Sequence, residues 1–157
     1  MRKTITTKLA LILVIVMMIT LCSCDLFKPT TTATTSFVAE EENQVPEFWK
    51  NAKYTKDTEL GEGSKTFKFK VEAEGYSITF TIHTDAKTVG EALLALDLIA
   101  GEDSQYGLYV KTVNGMLADY DVDKTYWSFY ENGEYAMSGV DKTNITEGYT
   151  YSFVRAK

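Results

Sequence analysis

Apolar and polar positions change period several times along the chain, and each change predicts an element. Leu9 to Leu21 (LALILVIVMMITL) is an apolar run without a charge. From Ser64 the pattern becomes strict alternation. Phe67, Phe69, Val71 and Ala73 alternate with Lys68, Lys70 and Glu72, the period of a half-buried strand. After a tight turn at Glu74-Gly75, Tyr76, Ile78, Phe80 and Ile82 alternate with Ser77, Thr79, Thr81 and His83, so the pair predicts a hairpin with one face buried. The period then lengthens to that of a helix. Thr88 and Glu91 have the spacing of a capping box, and Val89, Ala92, Leu93, Leu96 and Ile99 or Ala100 form an apolar stripe, with Gly101 as the expected stop.

Beyond the helix, Glu102 to Gly107 reads as a polar loop and Leu108 to Val113 as a strand closed by Asn114-Gly115. Met116 to Lys124 is expected to be a connection. Tyr126 to Met137 predicts an aromatic hairpin, because Asn132-Gly133 is the pair that a two-residue type I′ turn requires. Tyr126, Ser128 and Tyr130 fall on one face of its first strand, and Trp127 and Phe129 on the other. A sheet covered by a helix needs one aromatic face, so the second is a candidate platform for a ligand. Which face turns inward is not set by the alternation. Ser138 to Gly148 is a loop, and Tyr149, Tyr151 and Phe153 alternate in a closing strand. One helix crossing a mixed sheet after an opening hairpin is an α+β, β-grasp-like arrangement.

The N-terminal run is too short for a membrane span and follows Arg2, Lys3 and Lys8, as the apolar part of a secretory signal does. Leu21-Cys22-Ser23-Cys24 resembles a bacterial lipobox, which implies cleavage after residue 23 and acylation of Cys24. Losing the three bases Arg2, Lys3 and Lys8 takes the net charge from −6 to −9. Such acidity excludes nucleic-acid binding through a phosphate-neutralising patch, and it leaves membrane attachment to the acyl chains. Residues 24–63 read as a tether, with a threonine-rich run at Thr30 to Thr35 and acids at Glu40 to Glu42. Phe48-Trp49 is the apolar exception within it, either docked on the domain or an exposed motif. Residues 64–157 are then the folded domain, held on the extracytoplasmic face of the membrane.

Catalytic chemistry is not in evidence. His83, the one histidine of the chain, sits on a polar strand face and reads as a solvated side chain. No cysteine or histidine spacing fits a metal, and no glycine-rich phosphate loop precedes a helix. Asp119, Asp121 and Asp123 alternate like part of a calcium loop but lack its glycine and terminal glutamate, so they read as solvated loop acids. The expectation is a binding protein with no enzymatic activity and no metal.

From Phe67 to Phe153 the chain resembles the C-terminal β-domain of transcobalamin and intrinsic factor, and the bacterial lipoproteins that carry this domain alone. Tyr106-Gly107-Leu108-Tyr109-Val110 with Val113-Asn114-Gly115, then Tyr126 to Gly133 (YWSFYENG), then Gly139-Val140 with Ile145 and Glu147-Gly148 carry the likeness. Tyr149 departs from the family pattern, which has an acid there. The resemblance implies a β-grasp domain that covers one face of cobalamin or a related corrinoid. The helical domain that holds the other face in the animal proteins has no counterpart, so a transporter or second binding protein is the implied partner.

Two functions follow. In the first, a tethered domain captures a corrinoid with Gln105, Tyr106, Gly107, Tyr126, Trp127, Tyr130, Asn132, Met137 and Gly139. In the second, the same aromatics or a strand edge bind a protein or a cell-wall polymer. The lipobox makes its own prediction. Cys24→Ala should leave an unprocessed or released protein that moves to the aqueous phase on detergent extraction; if wild type also stays aqueous, the anchor assignment fails.

Overall fold

The computed structural model describes residues 45–157. The signal sequence, Cys24 and the threonine-rich run lie outside the described residues. Strands dominate an α+β architecture with a six-stranded mixed sheet, a three-stranded antiparallel sheet and two short helices. The opening hairpin is β2 (Lys65–Ala73) and β3 (Tyr76–Thr84), and β2 also pairs in parallel with β9 (Thr150–Ala156). β7 (Tyr126–Glu131) continues the sheet antiparallel to β9 and turns into β8 (Glu134–Tyr135). β1 (Thr58–Gly61) adds in parallel to β3, giving the order β1-β3-β2-β9-β7-β8. The smaller sheet is β4 (Ile99–Ser104), β5 (Gly107–Val113) and β6 (Met116–Leu117), in that order. Among the described residues no helix is long and apolar enough to cross a membrane.

The alternation in β2 and β3 is realised as read. Phe67, Phe69, Val71, Ile78, Phe80 and Ile82 are buried, and the cross-strand pair Phe69–Phe80 stacks at 5.8 Å. Tyr151 and Phe153 of β9 and Trp127 and Phe129 of β7 continue that core face, with Phe129 and Phe153 5.1 Å apart. The core face of the aromatic hairpin is therefore Trp127 and Phe129, while Tyr126 and Tyr130 are half-buried. Tyr126 meets Tyr120 edge-on, and Tyr130 meets Tyr135 in the same way. The turn has φ of 49° at Asn132 and 84° at Gly133, the two positive values a type I′ turn needs.

Helix α1 (Val89–Ala95) starts where the capping box placed it. The Glu91 N–H donates to Thr88 Oγ1, and Glu91 Oε2 accepts from the Thr88 N–H. It ends earlier than its stripe suggested. Asp97 takes φ of 53°, the Asp97 N–H donates to the Leu94 carbonyl, and the Leu98 N–H donates to the Leu93 carbonyl. That is a Schellman cap built on an aspartate where a glycine was expected. Leu98 and Ile99 are buried, but as the entry to β4 and not as a third helical turn. Gly101 lies at a bulge of β4, and Glu102 to Ser104, read as loop, are strand.

The packed fold begins upstream of the Ser64 boundary expected from the sequence. A 3-10 turn at Glu47–Asn51 puts Trp49 fully in the core, where its indole N–H donates to the Ala73 carbonyl at 2.9 Å and its ring meets Tyr76 at 4.8 Å. Phe48 lies against Trp127, with the Arg155 guanidinium 4.0 Å over its ring. Buried Asn114 fastens the segment from the other side. Its backbone N–H donates to the Leu98 carbonyl and its carbonyl accepts from the Lys53 N–H, while Oδ1 accepts from the Tyr54 N–H and Nδ2 donates to the Tyr54 carbonyl. His83, expected to be solvated, is half-buried between Glu59 Oε1 and Thr66 Oγ1 and ties β1 to the sheet. Asp119, also expected to be a solvated loop acid, caps helix α2 (Tyr120–Asp123), and Asp123 pairs with Arg155 at 2.9 Å.

Two substitutions separate packing from backbone strain. Trp49→Ala should cost roughly 3–5 kcal/mol of unfolding free energy, as aromatic core truncations do. Gly133 has no atom within 4 Å of a would-be Cβ, so Gly133→Val should cost on the order of 1 kcal/mol through its positive φ alone. Denaturant melts of both variants would measure the two effects; an unchanged midpoint in either removes the corresponding argument.

Candidate functional site

A cleft of about 400 Å³ opens between the two sheets. It exists because β7 runs out of partners. β8 pairs only with Tyr130 and Glu131, so the rest of that edge of β7 is not covered by a strand. β5 approaches this edge without pairing to it, and the sheets are joined where the Trp127 indole N–H donates to the Met116 carbonyl at 3.3 Å. Away from that junction the space is lined by Leu108, Tyr109 and Val110 of β5, by Phe129 and Phe153 of the large sheet, and by the loops on either side.

The cleft gathers Tyr106, Gly107, Tyr126, Trp127, Met137 and Gly139 from three separated parts of the sequence. The Ser104–Gly107 turn supplies the first two, with Ser104 Oγ donating to the Gly107 carbonyl and accepting from the Tyr106 N–H. Tyr106 and Met137 project at the mouth, 83% and 96% exposed. Trp127 is the opposite case: at 6% exposure it is floor, with its one polar atom already bonded. Gln105 lines no part of the cleft. Tyr130 does not line it either; it packs on Tyr135, which does. Asn132 lines an adjoining groove with Glu131, Glu134 and Met137. Its side chain is committed to the fold, accepting from the Thr150 N–H at 2.8 Å.

The loop from Ser138 onward is rigidly placed by helix α1. The Val89 N–H donates to the Thr143 carbonyl, the Gly90 N–H to the Val140 carbonyl, and the Ile145 N–H to the Lys87 carbonyl. Gly90 is needed for this approach, since a Cβ there would stand 2.7 Å from Asp141 Cα. Asp141 then links the two walls. A Cβ on Gly107 would stand 2.7 Å from Asp141 Oδ1, and one on Gly139 would stand 2.8 Å from the same oxygen. Asp141 was not legible as a site residue, because a lone aspartate in a glycine-containing loop looks like ordinary turn chemistry. Burial pushes its carboxyl up, but the Lys142 ammonium, 3.0 Å away, and the amides of Leu108 and Asp141 itself outweigh burial and hold its pKa below the usual 3.8. Among the described residues no group of three or more His, Cys, Asp or Glu comes together to hold a metal.

Residues 86–150 match a family model described as a domain of unknown function, DUF4430. This stretch takes in α1, the smaller sheet, the aromatic hairpin and the loop that walls the cleft. A protein from Ruminococcus gnavus ATCC 29149, described as a candidate metal-binding protein, is similar in structure at a TM-score of 0.57 and 28% identity, over 60% of this chain and 98% of its own. Haptocorrin in complex with Cbi superposes at a TM-score of 0.46 and 20% identity, over 62% of this chain and 26% of its own. No curated protein matches the chain.

Asp141 gives the site a pH signature. A folded-state pKa below 3.8 means the carboxylate contributes stability that is fully present above that value and is lost as pH falls through the lowered value. Asp141→Asn should therefore be less stable than wild type at pH 7, with the gap closing below about pH 3.8. Urea midpoints of both proteins from pH 7 to pH 2.5 would show this; a gap independent of pH would assign the effect to shape alone.

Proposed function

We propose that the chain is an extracytoplasmic binding protein, lipid-anchored through Cys24, that captures a ligand in the cleft between its sheets and catalyses no reaction. The observation that carries this reading is the convergence of Tyr106, Gly107, Tyr126, Trp127, Met137 and Gly139 on one cleft of a size typical of small-molecule sites. These residues came from three stretches of sequence chosen for a resemblance to the transcobalamin β-domain. A corrinoid is accordingly the first candidate ligand. The β-grasp reading of the fold is supported by the central parallel pair β2–β9, flanked by β3 and β7, with α1 following the opening hairpin.

A binding role also agrees with what the polar groups do. His83 is engaged with Glu59 and Thr66, and it does not line the cleft. The cleft is open and can hold only part of a ligand as large as a corrinoid, so the exposed Tyr106 and Met137 become contacts for the remainder. A transporter or second binding protein would then cover the ligand's other side. If the mouth instead docks a protein or a polymer directly, the same two side chains are its anchors.

Calorimetric titration of the chain with a panel of corrinoids tests the reading. At least one corrinoid should bind, and Tyr106→Ala and Met137→Ala should each weaken it by about ten-fold, or about 1.4 kcal/mol, with the melting temperature unchanged because both side chains are exposed. Absence of binding across the panel, or binding that ignores both substitutions, would remove the corrinoid from the proposal.

A further inference from the structure

We infer that the cleft selects a ligand carrying positive charge on an organic, weakly hydrated group, an inference that rests on the reading of the cleft as a ligand site. Tyr106, Tyr109, Tyr126, Trp127 and Tyr135 line it, and aromatic faces present the negative side of their quadrupole. No lysine or arginine lines it. Bases that adjoin lining residues are paired: Lys111 with Glu102 and Asp119 at 3.1 and 3.9 Å, Lys142 with Asp141 at 3.0 Å, and Arg155, across the strand pair from Trp127, with Glu74 and Asp123 at 2.5 and 2.9 Å.

The surrounding carboxylates act in the same direction. Asp103 stands directly across the strand pair from Leu108, which lines the cleft. Glu131 and Glu134 line the adjoining groove together with Tyr135 and Met137. Among the described residues Asp103, Glu131 and Glu134 have no basic partner within ion-pair distance. Asp141, behind Gly107 and Gly139, is paired with Lys142 at 3.0 Å and adds no net charge to the mouth. Rings and carboxylates thus give the mouth one sign of potential, which favours cations and repels anions.

The lining decides what kind of cation. No carboxylate lines the cleft itself, and the polar side chains that do, Ser104, Ser138 and four tyrosines, carry uncharged hydroxyls beside the apolar Leu108, Val110 and Met137. A metal ion or a primary ammonium would exchange tightly held water for a few uncharged hydroxyls, whereas a quaternary or delocalised cation has little water to lose and gains the rings. The chain already uses this contact for a delocalised cation of its own: the Arg155 guanidinium lies 4.0 Å over the Phe48 ring.

Three probes of matched shape separate the charge from the cleft: benzyltrimethylammonium, benzyl alcohol and phenylmethanesulfonate. Each is titrated into the full ¹⁵N-labelled chain in neutral detergent, following the Gly107 and Gly139 amides and the Trp127 indole. The ammonium should bind about ten-fold tighter than the sulfonate and about three-fold tighter than the alcohol, and the preference should shrink at high salt. Glu131→Lys with Glu134→Lys should cut the preference for the ammonium over the sulfonate to under about three-fold, while Glu62→Lys, on the exposed β1–β2 connection, should leave it. If alcohol or sulfonate binds as tightly as the ammonium, or if Glu62→Lys matches the rim variants, charge selection is overturned and the cleft remains a ligand site. If no probe moves these resonances, the ligand-site reading fails and takes this inference with it.

Discussion

The fold depends on one buried amide. Asn114 has a turn residue's backbone, at φ of 52°, but its four hydrogen bonds join three segments that are distant in sequence. Leu98, just past helix α1, fixes where the smaller sheet begins. Lys53 and Tyr54 bring in the N-terminal segment, which carries Trp49 into the core and Phe48 onto Trp127. Every polar atom of the asparagine's backbone and amide finds a partner, as a fully buried amide must. An apolar replacement would strand the Tyr54 N–H and carbonyl, and a buried orphan of that kind costs about 1–3 kcal/mol each.

The cleft follows from how the two sheets are joined. They share a core and a tryptophan-to-carbonyl hydrogen bond, but no ladder. Had β5 paired with β7, the space would have closed. Its walls are set from outside: α1 holds the loop at Val140 and Thr143, and the Asp141 carboxylate packs between that loop and the Ser104–Gly107 turn. The side chains that project at the mouth are therefore carried on a backbone that is already fixed, which reduces what ordering the site would cost on binding.

Local signals were legible in the sequence wherever one residue pair determines a backbone. Asn132-Gly133 specified its turn, and Thr88 with Glu91 specified the start of a helix. The end of that helix was not legible, because Leu98 and Ile99 suit a helical stripe and a strand equally; the choice was made by Asp97 accepting a left-handed conformation. Residues 45–61 carry too few apolar positions to predict burial. Trp49 is core because Ala73 presents a free carbonyl and Tyr76 a ring face, and neither is visible from the segment itself. The lining of the cleft was legible as three stretches, apart from Gln105, Tyr130 and Asn132, but not the division of labour within them. Trp127 became floor, Asn132 became a strand tie, and Asp141 has a role only because two glycines from different loops meet over it.

β1 has a further consequence. It is four residues long, lies parallel on β3 and places Glu59 against His83, while the opposite end of the sheet finishes in the two residues of β8, one of them Glu134. Each end of a very aromatic sheet thus finishes in a short strand that carries a carboxylate. Such margins discourage the edge-to-edge growth by which exposed strands aggregate. At those two ends the sheet is thus ill-suited to recruiting another strand.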